Sequence, residues 1–129
     1  MSERTAHDGL FINGEWIRST HTTIDIESPF DRTIIARLPA ASAKEVGDAA
    51  EAAAAAAHEW RFMDEASRNR LFLRWADEIE QRKSQIASIV GMDAGTPADG
   101  QLGTVEKIVL MIRYYAGLTL TNYGDVLAF

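Results

Sequence analysis

The spacing of apolar and polar positions changes once along this chain, near residue 40. Upstream, apolar residues come in short runs separated by turn formers. Leu10-Phe11-Ile12 and Glu15-Trp16-Ile17 flank Asn13-Gly14, a pair that tolerates positive φ and predicts a two-residue hairpin. Thr23-Ile24-Asp25-Ile26-Glu27 alternates with period two, as a half-buried strand does. Ser28-Pro29-Phe30-Asp31-Arg32 reads as a turn, and Thr33 to Leu38 as a further strand closed by Pro39.

Downstream the apolar step becomes three and four residues, which predicts three helices. Ser42 and Glu45 form a capping box. It opens a helix with Val46, Ala49, Ala50, Ala53, Ala57 and Trp60 on one side, and the alanine run from Ala52 to Ala57 suits close packing. Asp64 caps a second helix. Its apolar stripe is Leu71, Trp75, Ile79, Ile86, Ile89 and Val90, and it runs unbroken to Asp93, where Gly95 and Pro97 stop it. The third helix carries Val105, Ile108, Val109, Ile112, Tyr115, Ala116 and Thr119. Gly100 and Gly103 place a loop before it, and Gly124 is its expected terminator. Residues 1–9 read as a loose polar arm and 10–129 as one incomplete domain. The apolar run Val126 to Phe129 looks like the start of something cut off.

Composition narrows the function classes. With 47% apolar residues among 129, the chain has enough material for a core. A net charge of −6 and a pI near 5.0 argue against a nucleic-acid or anionic-membrane partner. No stretch reads as a membrane span or a signal core, so a cytoplasmic protein is expected. There is no cysteine, which excludes disulfides, thiolate metal sites and thiol catalysis within these residues.

Among candidate chemical groups, Asp93 stands out. It sits at a helix end, where free carbonyls and the negative pole of the macrodipole repel a carboxylate unless a cation compensates. Carbonyls plus one carboxylate are hard oxygen ligands. The alternative is that Asp93 is solvated or bonds the backbone of its own turn through Gly95. Glu51, Glu59, Glu78 and Glu80 fall on polar helix faces as weak ion pairs. His7, His21 and His58 are scattered, without metal-ligand spacing. No G-x-S-x-G, G-x-G-x-x-G after a strand, or P-loop pattern occurs. Trp16, Trp60, Trp75, Tyr114 and Tyr115 are expected to be buried packing residues. These observations assign no catalytic and no cofactor-binding residue.

The order of several short stretches adds a resemblance. Ile12-Asn13-Gly14-Glu15-Trp16 is similar to the I-N-G-x-W opening of the aldehyde dehydrogenase superfamily, and Ser28-Pro29-Phe30-Asp31 resembles its N-P-A-T-G turn. Ile35 to Pro39 resembles the next strand, Ser42 to Trp60 the alanine-rich helix, and Arg70-Leu71 with Ala76-Asp77 and Ile79 the arginine-leucine helix. Met92-Asp93-Ala94-Gly95 resembles the L-D-x-G helix end, and Arg113-Tyr114-Tyr115-Ala116-Gly117 the R-Y-Y-A-G segment. The departures are Ser28 for asparagine, Asp31-Arg32 for threonine-glycine, and Thr96 for lysine.

The resemblance implies an α/β enzyme of which this is the N-terminal segment, strands then helices, in the outer part of the cofactor-binding domain. It implies oxidation of an aldehyde substrate to a carboxylic acid with NAD or NADP, in a homo-oligomer when complete. The family's nucleophilic cysteine and dinucleotide-binding turn lie beyond these residues, so the chain alone is expected to be inactive. It also implies a structural monovalent cation (Na+ or K+) on the backbone carbonyls of Ile26 and Glu27 and the carboxylate of Asp93. A different reading is a stand-alone, non-catalytic module that packs onto a full-length relative through exposed strand edges and apolar helix stripes. A third is an unrelated helical binding domain, in which the strands before Pro39 would be disordered.

Overall fold

The structure, a computed structural model, describes residues 9–18 and 22–121. The polar arm before Gly9 and the terminator expected at Gly124 lie outside them. The chain divides into two compact units, Met1–Phe62 with Met92–Thr96, and Met63–Gly91 with Pro97–Phe129.

In the first unit, β1 (Leu10–Ile12) pairs antiparallel with β2 (Glu15–Ile17), with Phe11 opposite Trp16. Asn13 and Gly14 take φ of 53° and 81°, the left-handed pair that a tight hairpin needs. β3 (Thr23–Glu27) pairs antiparallel with β4 (Ile34–Pro39) in a separate two-stranded sheet. Ordered strands before residue 39 contradict the unrelated helical domain. α1 (Ala43–Phe62) follows. Its capping box is closed: Glu45 Oε2 accepts from the Ser42 amide at 2.6 Å, and the Glu45 amide donates to Ser42 Oγ at 3.2 Å. No residue of α1 is buried. The expected packing side, with Val46 and Trp60, therefore stays exposed.

The second unit is built on α2 (Glu65–Gln81) against α4 (Ala98–Leu118). Val105, Val109, Ile112, Ala116 and Thr119 form the covered face of α4, at alternating steps of four and three. Val109 and Ile112 pack on Ala76, Phe72 and Ile79. Full burial of a valine or isoleucine side chain contributes about 1.5–3 kcal/mol. The α2 stripe is thus Phe72, Ala76 and Ile79, and the expected Leu71 and Trp75 are exposed. The small Ala76 lets α4 approach, which turns its larger neighbours one step around the helix. Trp16, Trp60, Tyr114 and Tyr115 are exposed as well, against the expectation of burial.

Three helix boundaries differ from the sequence reading. The single long helix breaks at Arg82, giving four helices rather than three, with α3 spanning Lys83–Ala94. Arg82 has φ −105° and ψ 12°, and its amide turns to the Ile79 carbonyl at 3.1 Å. The apolar pattern is empty between Ile79 and Ile86, so no core contact holds the axis straight there. The stretch 98–103, expected as loop, is the first part of α4. Pro97 precedes the first turn, where its missing amide proton costs nothing, and the Gly100 amide donates to its carbonyl at 3.1 Å. At the other end α4 stops at Leu118 with Thr119 as cap, earlier than the terminator expected at Gly124.

Polar contacts fix the α2–α4 pair. Arg113 donates to Asp77 at 2.9 Å and to Glu80, and Asn69 Nδ2 donates to the Ala116 carbonyl at 2.7 Å, while Lys83 at the start of α3 pairs with Glu106 of α4 at 2.8 Å. At the start of α2, Asp64 Oδ1 accepts the Ser67 amide at 2.8 Å. Bonds from Ser67 hold the Asp64 carboxyl below its ordinary value.

A depressed carboxyl pKa stabilises the fold above the unfolded-state value and loses that contribution as pH falls through the folded one. Below about pH 4 the wild-type chain is therefore expected to lose helix stability that Asp64→Asn retains, because asparagine caps without titrating. Urea midpoints followed by circular dichroism across acid pH measure this. Parallel acid limbs for the two proteins would contradict it.

Candidate functional site

The residues singled out for a cation, Ile26, Glu27 and Asp93, all belong to the first unit. Ile26 and Glu27 end β3, where the ladder shifts register: Ile26 faces Ala36 but Glu27 faces Ile34. That leaves Ile35 as an extra residue on β4, a bulge that bends the strand at these two residues.

The following turn keeps its shape despite its unusual residues. The Ser28 amide donates to the Thr33 carbonyl at 2.8 Å and the Arg32 amide to the Ser28 carbonyl at 2.9 Å. Buried Ser28 accepts the Phe30 amide on Oγ at 3.3 Å, the local bond an asparagine side chain would make. Arg32 takes φ 64°, the left-handed conformation for which glycine is the usual residue, at a cost of roughly 1–2 kcal/mol. Its guanidinium pairs with Glu27 at 3.0 Å. Asp31 Oδ1 accepts the Thr33 hydroxyl at 2.8 Å and its amide at 3.2 Å. These Thr33 bonds, with a smaller contribution from Ser28, pull the Asp31 carboxyl below its ordinary value.

Asp93 lies one residue from the end of α3 and is exposed. The last turn of that helix contains no basic residue, so its own helix does nothing to offset the carboxylate at the negative pole. Gly95 follows at φ 65°, and a Cβ there would stand 2.8 Å from Pro29 Cγ and 3.3 Å from the Phe30 amide nitrogen. The helix end is therefore pressed against the turn that follows Ile26 and Glu27. The Glu27 carboxylate is engaged by Arg32, which leaves its carbonyl as the group a cation could use. Among the described residues no cluster of three or more His, Cys, Asp or Glu is placed to hold a metal. One carboxylate with carbonyls suits a hard monovalent ion.

Sequence reasoning missed Asn69 and Arg32. Asn69 bonds a residue 47 positions away, and no local pattern announces such a contact. Arg32 had a signal, since it stands where the resembled turn carries glycine.

The sequence model of the aldehyde dehydrogenase family matches residues 16–129. The α-ketoglutaric semialdehyde dehydrogenase of Bacillus subtilis is 32% identical over 119 residues, 91% of this chain and 24% of that protein. The mitochondrial aldehyde dehydrogenase of Equus caballus is 32% identical over 126 residues, 94% of this chain and 25% of that protein. Among solved structures, lactaldehyde dehydrogenase from Escherichia coli superposes with a TM-score of 0.86 at 20% identity, over 94% of this chain and 26% of that one. PnpE, solved with nicotinamide adenine dinucleotide, gives 0.84 at 32% identity, over 94% and 25%. The fold is that of an oxidoreductase segment, and the chain belongs to the aldehyde dehydrogenase family. It spans about a quarter of the length of the curated relatives it matches.

The approach of Gly95 to Pro29 generates a contrast between two glycines. Gly95→Ala is expected to cost more than about 1 kcal/mol, since it adds both left-handed strain and a clash. Gly103→Ala, in open space within α4, is expected to stabilise by roughly 0.5–1 kcal/mol. Chemical denaturation of both variants checks the order, and equal effects would remove the close approach as a constraint.

Proposed function

We propose that these residues form the outer, N-terminal part of the cofactor-binding domain of an NAD(P)-dependent aldehyde dehydrogenase and carry none of its reacting groups. The observation that supports this most is the superposition on a quarter of PnpE, solved with its dinucleotide, in a chain with no cysteine. The aldehyde substrate, NAD or NADP, the homo-oligomer and a cytoplasmic location belong to the complete enzyme. Gly95 follows a helix and Gly100 and Gly103 lie within one. None is in the strand-to-helix turn that cradles a pyrophosphate, so the dinucleotide is not assigned to these residues. Their part in oxidation is to build and support the domain that binds it.

The purified 129-residue chain is expected to form no NAD(P)H from aldehydes above a buffer control. The polypeptide detected in source cells by an antibody to residues 42–95 should be several times heavier than 14.2 kDa. Turnover by the chain itself would overturn the reading, as would a cellular species of 14.2 kDa alone.

The same reading gives Ile26, Glu27 and Asp93 a role. The two carbonyls and the Asp93 carboxylate hold Na+ or K+ where the α3 end meets the β3–β4 turn, and the ion supplies the positive charge that the last turn of α3 lacks. At matched ionic strength, Na+ or K+ should raise the melting temperature above that in tetramethylammonium, and Asp93→Asn should abolish the difference. Equal melting in all three salts would remove the assignment.

A further inference from the structure

α4 has two apolar faces, and α2 covers one of them. On a helix turning 100° per residue, Leu110, Met111 and Tyr114 lie on the side away from Val105, Val109, Ile112 and Ala116. They are 65%, 56% and 64% exposed. Tyr115 flanks them, its ring 5.4 Å from that of Tyr114 in an edge-on contact. The polar sector between the two faces is narrow. Glu106 and Arg113 occupy it, and both are held by partners in the same unit. A helix that is apolar on nearly every side is one that packs on every side. Adjacent large apolar side chains left in water mark an interaction surface. Lys107 is the one charge on the outer side of this stretch, so the surface suits an apolar protein partner rather than a nucleic acid or a charged peptide.

The comparisons point to the occupant. The same fold recurs at a TM-score of 0.86 as 26% of the lactaldehyde dehydrogenase chain, so in that protein these helices belong to a body about four times larger. We infer that the outer face of α4, centred on Leu110, Met111 and Tyr114, is the docking surface for the remainder of an aldehyde dehydrogenase fold, and that this chain binds that remainder when the two are separate polypeptides. The inference rests on the family-segment reading above and adds the surface and the partner. An enzyme built this way has a core seam along α4. Its affinity comes from desolvating aliphatic and aromatic side chains rather than from pairing charges.

The test is co-expression of the 129-residue chain with a tagged α-ketoglutaric semialdehyde dehydrogenase of Bacillus subtilis lacking the segment this chain matches. The expected result is a one-to-one complex by affinity capture and light scattering, in which Met111 resists peroxide oxidation. Leu110→Asp and Tyr114→Asp should each lower recovery about tenfold or more, while Glu78→Gln on the exposed side of α2 should not. Both aspartate variants should keep the wild-type helix content and melting, because neither position contributes to the α2–α4 contact. Three results would overturn the inference. In one, the folded chain is recovered alone. In another, the complex is indifferent to both aspartate variants. In the last, the chain pairs with itself through this face, which would assign it to a second copy. None of these touches the reading of the chain as an inactive family segment, which fails instead on turnover or on the size of the cellular polypeptide.

Discussion

Two residues with almost no side chain set the spacing of the helical unit. Ala76 on α2 and Ala116 on α4 are both 0% exposed, and bulk at either would push the helices apart. Because they are small, the helix backbones approach closely enough for Asn69 to reach the Ala116 carbonyl. The Arg113 guanidinium can then bridge Asp77 and Glu80. These exposed ion pairs contribute little by themselves. Their effect is to fix the rotation of α4 about its axis, which decides which face is covered and which is left in water. The arginine and alanine of the R-Y-Y-A-G segment thus have a packing reason, one clamping and one making room, while its two tyrosines point to the uncovered side.

Much of the fold was legible because it is written in local terms. Asn13-Gly14 specifies its turn through backbone conformation, Ser42 and Glu45 specify a helix start through two reciprocal bonds, and Thr23–Glu27 specifies a strand by period. What was not legible depends on distance in sequence. The break at Arg82 has no proline or glycine to announce it, only a missing apolar contact. Leu71, Trp75 and Ile79 were read from helical spacing, but Phe72, Ala76 and Ile79 share that spacing, and the structure chose between them by the fit to a helix more than thirty residues away. The exposure of Trp16, Trp60 and Trp75 ran against their hydrophobicity for a related reason. Burial is a property of what surrounds a side chain, and a segment matching a quarter of its relatives carries part of those surroundings.

The turn beside the candidate cation residues keeps its local geometry while its residues change. Ser28 supplies the local hydrogen bond expected of an asparagine, and Arg32 takes up the left-handed backbone expected of a glycine. The electrostatic reason for a cation near Asp93 came from the position of a carboxylate at a helix end and was legible in the sequence. The pressing of that helix end onto the β3–β4 turn, through the missing Cβ of Gly95, was not.

α1 has a consequence for the order of events as the chain is made. It has no buried residue, yet it carries a closed capping box, an alanine run and a Lys44–Asp48 pair one turn apart. Each of these acts within a few residues, so the helix can begin to form without waiting for a tertiary partner. Helix formation in isolated peptides takes about a microsecond or less, whereas synthesis adds on the order of ten residues each second. α1 is therefore available as a helix during translation, before α4 exists to meet α2. The segment would enter assembly with one helix already made.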